Sequence, residues 1–129
     1  MRSFVLGAVL AALIPLSAQA QEAGDAAAGE KAFAPCKACH NFQKNGVGPD
    51  LKGVVGRKAG TYEGYNYSAA LKNSGITWDE ATFKEYIKDP KAKIPGTKMV
   101  FAGIKKETEI NDLWAFIAQY DKDGKVKAK

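Results

Sequence analysis

The sequence predicts an all-α fold with a centre filled by something other than polypeptide. Three observations carry that reading: separate helix signals near residues 26, 80 and 110, two long Gly/Pro-rich stretches without periodicity, and no pair of segments alternating as paired strands do. The chain has 129 residues, 46% of them apolar and 26% charged, which excludes disordered and collagen-like classes and points to one domain.

The first segment is read as a leader rather than as fold. Arg2 precedes an apolar run from Phe4 to Leu16, and Ala18-Gln19-Ala20 is a small-x-small cleavage pattern. Residues 1–20 are therefore expected to be a cleaved signal peptide, and 21–129 a single exported domain. At about 1.5 Å per residue the apolar run falls short of a ~30 Å hydrocarbon core. An exported chain of roughly 110 residues is read as bacterial and periplasmic. Net charge is +5, one less without Arg2. Its lysines are interspersed with acids rather than massed in a stripe, so nucleic acid is not an expected partner.

Gly24 and Asp25 are placed to cap a helix over Ala26–Phe33, stopped near Pro35. Thr77 and Glu80 have capping-box spacing ahead of Phe83, Tyr86 and Ile87, and Asp89-Pro90 ends that run. Ile110, Leu113, Trp114 and Ile117 form the strongest amphipathic stripe, with Thr108 as N-cap and an end near Tyr120. Ser68 to Lys72 adds a short helix. Residues 41–67, with six glycines from Gly46 to Gly64, and 89–103, with Pro90, Pro95, Gly96 and Gly103, read as loops. Loops this long are uncommon in a small domain unless they serve a function. Lys122 to Lys129 reads as a solvated, frayed end.

The chemistry is concentrated in Cys36-Lys37-Ala38-Cys39-His40, the C-x-x-C-H pattern of c-type haem attachment. Both thiols reach the vinyl groups of one porphyrin as thioethers, and the adjacent imidazole is held under the iron. A thioredoxin-type disulfide would need a βαβ context, and no strand signal precedes Cys36. A structural zinc would need a fourth ligand, and the chain has no other Cys or His. For the opposite face of the iron, the one methionine beyond the leader is Met99, in the second loop. Its ordinary role would be to fill a gap in the core, but a thioether is the usual partner of His in electron-transfer cytochromes.

These segments together resemble the class I cytochromes c, bacterial c2-type, similar to mitochondrial cytochrome c. The resemblance runs in order through Gly24 to His40, Val47-Gly48-Pro49-Asp50-Leu51, Val55-Gly56-Arg57-Lys58, Gly64-Tyr65-Asn66-Tyr67, Gly75-Ile76-Thr77-Trp78, Tyr86 and Ile94 to Gly103. C-x-x-C-H alone is widespread, whereas the Pro-Gly-Thr-Lys-Met block at 95–99 is specific to this group. The resemblance implies three main helices, a short one and long loops wrapped around one covalently bound haem c. It implies His40 and Met99 as axial iron ligands and Cys36 and Cys39 as thioether anchors. Pro49 would accept a hydrogen bond from His40. Arg57, Tyr67, Trp78 and Thr97 would be donors around the haem propionates, Tyr86 would lie near the Met99 sulfur, and Phe101 over the exposed haem edge. For Phe33, Leu113 and Trp114 the ordinary reading, packing between terminal helices with Gly29 allowing close approach, is preferred. Asp50, Leu71 and Pro35 stand where the family commonly has Asn, Asn and Lys.

With both axial positions taken by protein, the expected function is single-electron transport, not enzymatic turnover. A cytochrome bc1-type complex is the expected donor, and a terminal oxidase, photosynthetic reaction centre or periplasmic dehydrogenase the expected partner beyond it. Lys31, Lys37, Lys91, Lys98, Lys105 and Lys106 would steer a monomer to acidic docking surfaces. The alternatives are a peroxidase-like haem enzyme or gas-binding protein with a displaceable Met99, and a thiol oxidoreductase using Cys36 and Cys39.

Overall fold

Asp25 starts the first helix, α1 (Ala26–Ala32), by accepting hydrogen bonds from the Ala27 and Ala28 amides. The computed structural model describes residues 24–127, and the expected leader at 1–20 lies outside them. Pro35 does not end the winding outright. It sits in the first turn of a 3-10 helix, Ala34–Ala38, that carries the chain into the two cysteines, because a missing N–H costs nothing where the first amides have no partner.

Three further helix starts use side-chain caps. Ser68 caps α2 (Ala69–Lys72) through the Leu71 amide. Asp79 caps α3 (Glu80–Lys88) through the Thr82 amide at 2.8 Å. The expected Thr77–Glu80 box therefore does not form: Thr77 pairs with Lys58 in an isolated antiparallel bridge, and the nearer carboxylate takes the cap. Asp89 ends α3 and, with Pro90, begins a one-turn helix, α4 (Pro90–Lys93), inside a stretch expected to be loop throughout. Pro at the first helical position is pre-set for that turn. The last helix, α5 (Glu107–Ala118), starts one position before the expected Thr108 cap. Lys106 supplies no side-chain cap, and Glu107 and Glu109 face the positive end of the helix instead.

The most extensive helix contact is α1 on α5, with α3 packed on α5 beside it. Gly29 makes the first possible, since a Cβ there would overlap the Asp112 carbonyl. Ile110 and Leu113 are fully buried at this junction. Phe33 meets Phe116 and Phe42 at 5.2 and 5.4 Å, while Trp114 packs on Phe83 of α3 at 5.1 Å. Trp114 is thus a partly buried packing residue against the core, as an ordinary aromatic, but it meets α3 rather than lying between the terminal helices.

The C-terminal segment is pinned rather than frayed as far as Lys127. Asp121 accepts from the Asp123 and Lys125 amides, Lys127 N–H donates to the Gln119 carbonyl, and Tyr120 stacks on Phe42 at 3.6 Å. Among the described residues, pairing between extended segments is limited to two isolated bridges, and no helix is long and apolar enough to cross a membrane.

Candidate functional site

The 3-10 turn delivers the two cysteines and His40 in succession, with His40 N–H donating to the Cys36 carbonyl at 2.8 Å. Cys36 is half-buried and Cys39 exposed, and no disulfide joins them. Burial, with the neighbouring Cys39 charge second, would push an unattached Cys36 thiol up to about 11.

His40 is fixed from two sides. Its Nδ1–H donates to the Pro49 carbonyl at 2.9 Å, which leaves Nε2 as the nitrogen with a free lone pair. Gly48 lies against the ring so closely that a Cβ there would overlap it. Burial lowers the His40 pKa, the Pro49 bond pulls it back, and the Arg57 charge adds to the lowering. The outcome is a neutral imidazole, the form that ligates metal.

Among the described residues no three His, Cys, Asp or Glu side chains converge to hold a metal ion. A bare zinc is therefore a poor match to Cys36, Cys39 and His40. A porphyrin would fit them, because it carries metal ligands of its own and would ask the chain only for anchors such as Cys36 and Cys39 and a donor such as His40.

Met99 sits in the loop after α4. It is half-buried, as is Phe101, and both pack on the apolar core along with Cys36 and Trp78. The loop is held by Thr97, whose hydroxyl meets the Tyr86 hydroxyl at 2.8 Å and accepts from the Met99 amide at 3.4 Å. Tyr86 is buried, which raises its pKa, and stands edge-on to Trp78 at 5.0 Å. Sequence positions 78, 86, 97 and 99 are thus brought into one group. Lys98 ties that group to the other loop, donating to the Asn66 carbonyl at 2.9 Å.

Arg57 spends its two terminal nitrogens on the Asp50 and Lys52 carbonyls, at 2.8 and 3.2 Å, and lies 4.6 Å from the Tyr62 ring centroid. Tyr67 is buried and its hydroxyl accepts from the Tyr62 amide at 3.2 Å, leaving its own O–H to donate.

Sequence reasoning missed the residues behind this face. Asp50 is fully buried and is met by the Lys52 amide at 2.9 Å, the Tyr62 hydroxyl at 3.3 Å and the Lys52 ammonium at 3.4 Å. Its departure from the family's Asn was the one available signal. Asn45 bridges the loop as well, and nothing in its local sequence marks it.

The family model described as Cytochrome c matches residues 26–121. The chain is 66% identical over 109 residues to cytochrome c-550 of Nitrobacter winogradskyi, covering 82% of this chain and all of that one. It is 53% identical over 130 residues to cytochrome c2 of Blastochloris viridis, covering 98% and 100%. Among solved structures, cytochrome cH from Methylobacterium extorquens superposes with a TM-score of 0.73 at 64% identity, over 74% of this chain and 98% of that one.

Proposed function

The chain belongs to the cytochrome c family, as a class I c2-type member with one covalently bound haem c, and on that footing we propose that it is a soluble periplasmic carrier of single electrons rather than an enzyme. The haem supplies a one-electron ferric–ferrous couple. Cys36 and Cys39 would anchor it as thioethers, and His40 and Met99 would fill the axial positions.

The observation that carries this reading is the His40–Pro49 bond. It presents one lone pair in a fixed direction beside the two cysteine anchors and makes the imidazole a stronger donor. Thr97 and Tyr86 hold the Met99 loop in place, so neither proposed ligand has to move when the electron arrives. Arg57 keeps a positive charge beside Tyr67, a setting suited to the propionates, which need donors when withdrawn from water. Export by the leader at 1–20 would place the carrier between membrane complexes. A bc1-type donor, and a terminal oxidase, reaction centre or dehydrogenase partner, are consistent with it.

A spectrum of the ferric protein tests the ligand set. A weak near-red sulfur-to-iron band, lost in Met99→Ala, and a ferrous form unchanged by carbon monoxide are expected. A five-coordinate spectrum in the wild type would replace the carrier with a gas-binding or peroxidase-like protein.

A further inference from the structure

Behind the His40–Pro49 bond, three hydrogen bonds run in one sense. His40 Nδ1–H donates to the Pro49 carbonyl at 2.9 Å. The N–H of that same peptide unit, carried by Asp50, donates to Asn45 Oδ1 at 2.9 Å. Asn45 Nδ2 in turn donates to the Glu63 carbonyl, 18 residues away, at 3.1 Å. Only one orientation of the Asn45 amide serves both neighbours, since a peptide N–H needs an acceptor and a carbonyl needs a donor.

Each amide in the row accepts at oxygen from the His40 side and donates at nitrogen away from it. Donation at nitrogen pushes electron density through the conjugated amide onto its oxygen, so each link strengthens the next one toward the imidazole. The Gly48 amide to the Cys39 carbonyl, 2.8 Å, and the Gly46 amide to the Gly48 carbonyl, 2.9 Å, hold the loop backbone without passing through Asn45. The loop therefore keeps other ties when Asn45 is changed.

We propose that Asn45 is a positioning residue for the iron ligand: through the Pro49–Asp50 peptide it sets how strongly His40 donates to iron, and so the balance between the ferric and ferrous haem. This rests on His40 as the axial ligand. A more polarised Pro49 carbonyl draws the Nδ1 proton, makes the ring a stronger donor and favours ferric iron. Removing Asn45 relaxes that pull and favours ferrous.

The test uses the intact holoprotein and the variants Asn45→Leu, close in size with no polar atoms, and Asn45→Asp, which keeps the acceptor and charges it. Against a fixed redox mediator, Asn45→Leu is expected to move the ferric–ferrous ratio roughly two- to fivefold toward ferrous, about 20–40 mV at 59 mV per tenfold. Asn45→Asp should move it the other way. Because added charge shifts a potential through space as well, the deciding signal is the His40 Nδ1 proton resonance of the ferrous protein, expected upfield in Asn45→Leu and downfield in Asn45→Asp.

A resonance that stays put in both variants, or moves the same way in both, overturns the proposal and leaves Asn45 a brace between loops. Should Asn45→Leu not fold, Asn45→Asp decides alone, a downfield move supporting the relay and any other result ending it. If the wild-type His40 ring protons lack the displacement a haem ring current imposes, the ligand reading itself fails, and the relay with it.

Discussion

The terminal helices and the loop belt are built on opposite principles. Where α1 crosses α5, apolar side chains do the holding: Ile110, Leu113, Phe116 and Ile117 are buried on α5, and backbones touch at Gly29. In residues 41–67 and 94–103 there is little regular structure, and single polar pins fix the chain: Asn45 on Glu63, Lys98 on Asn66, Arg57 on Asp50, Thr97 on Tyr86. Burial is cooperative and non-directional, whereas each pin aims one segment. The helices therefore provide stability and the loops provide direction, which is the division a bound cofactor with directional ligands requires.

The sharpest way to break the helical half is Gly29→Val. A branched side chain would strike the Asp112 carbonyl, and α1 could no longer seat on α5. The expected result is loss of the cooperatively folded protein, seen as an absent unfolding transition by circular dichroism. Wild-type-like melting would mean that the two helices are not held at this crossing. Next in size is Leu113→Ala, at a fully buried position. It should cost about 3–4 kcal/mol in guanidinium unfolding, and a cost below about 1 kcal/mol would contradict its place in the core.

Thr97→Val probes the other half. It removes the partner of the buried Tyr86 hydroxyl and of the Met99 amide, at an expected cost of about 1–3 kcal/mol. The telling feature is where that cost falls. The Met99 loop should release before the helices unfold, so the near-red sulfur band should vanish at lower denaturant than the helical ellipticity. If both signals are lost together, the loop is not a separately pinned unit.

The same contrast explains what was legible in the sequence. Helical stripes repeat, so Ile110, Leu113 and Ile117 announce their face, and the C-x-x-C-H spacing is rigid because its chemistry is local. The cap of α3 was misplaced because Thr77 and Asp79 both qualify, and only the pairing of Thr77 with Lys58, 19 positions earlier, decides between them. Pro90 read as a breaker, yet beside Asp89 it is a starter. Asn45, Tyr62 and the partners of Asp50 were invisible because a single pin between distant segments leaves no periodicity. Glu63 contributes only its backbone to Asn45, and a carbonyl carries no sequence signal at all.

The C-terminal segment shows how small a pin can redirect a tail that composition alone describes as loose. Its lysines suggest solvent and fraying, but Asp121 gathers the Asp123 and Lys125 amides and turns the chain back so that Tyr120 covers Phe42. Those backbone bonds, from Lys125 first and Asp123 second, hold the Asp121 carboxyl below the ordinary 3.8, with the Lys125 and Lys127 charges assisting. A depressed folded pKa contributes stability that is present above the unfolded value and lost as pH falls through the folded one. The clasp should therefore hold at neutral pH and loosen only below 3.8, well after exposed carboxylates of ordinary pKa have begun to titrate. Amide exchange at Asp123 and Lys125 reads it directly: protection should persist through the ordinary carboxylate range and fade below it, and Asp121→Asn should weaken it at neutral pH, where a neutral amide accepts less strongly than a carboxylate, the difference closing as the carboxyl itself is protonated. Since Asp121 lies at the partly exposed edge of the chain's last described turn, global stability should barely change. A large global loss would place this loop in the cooperative core with α1 and α5, and protection unchanged in Asp121→Asn would show the turn is set by its backbone alone.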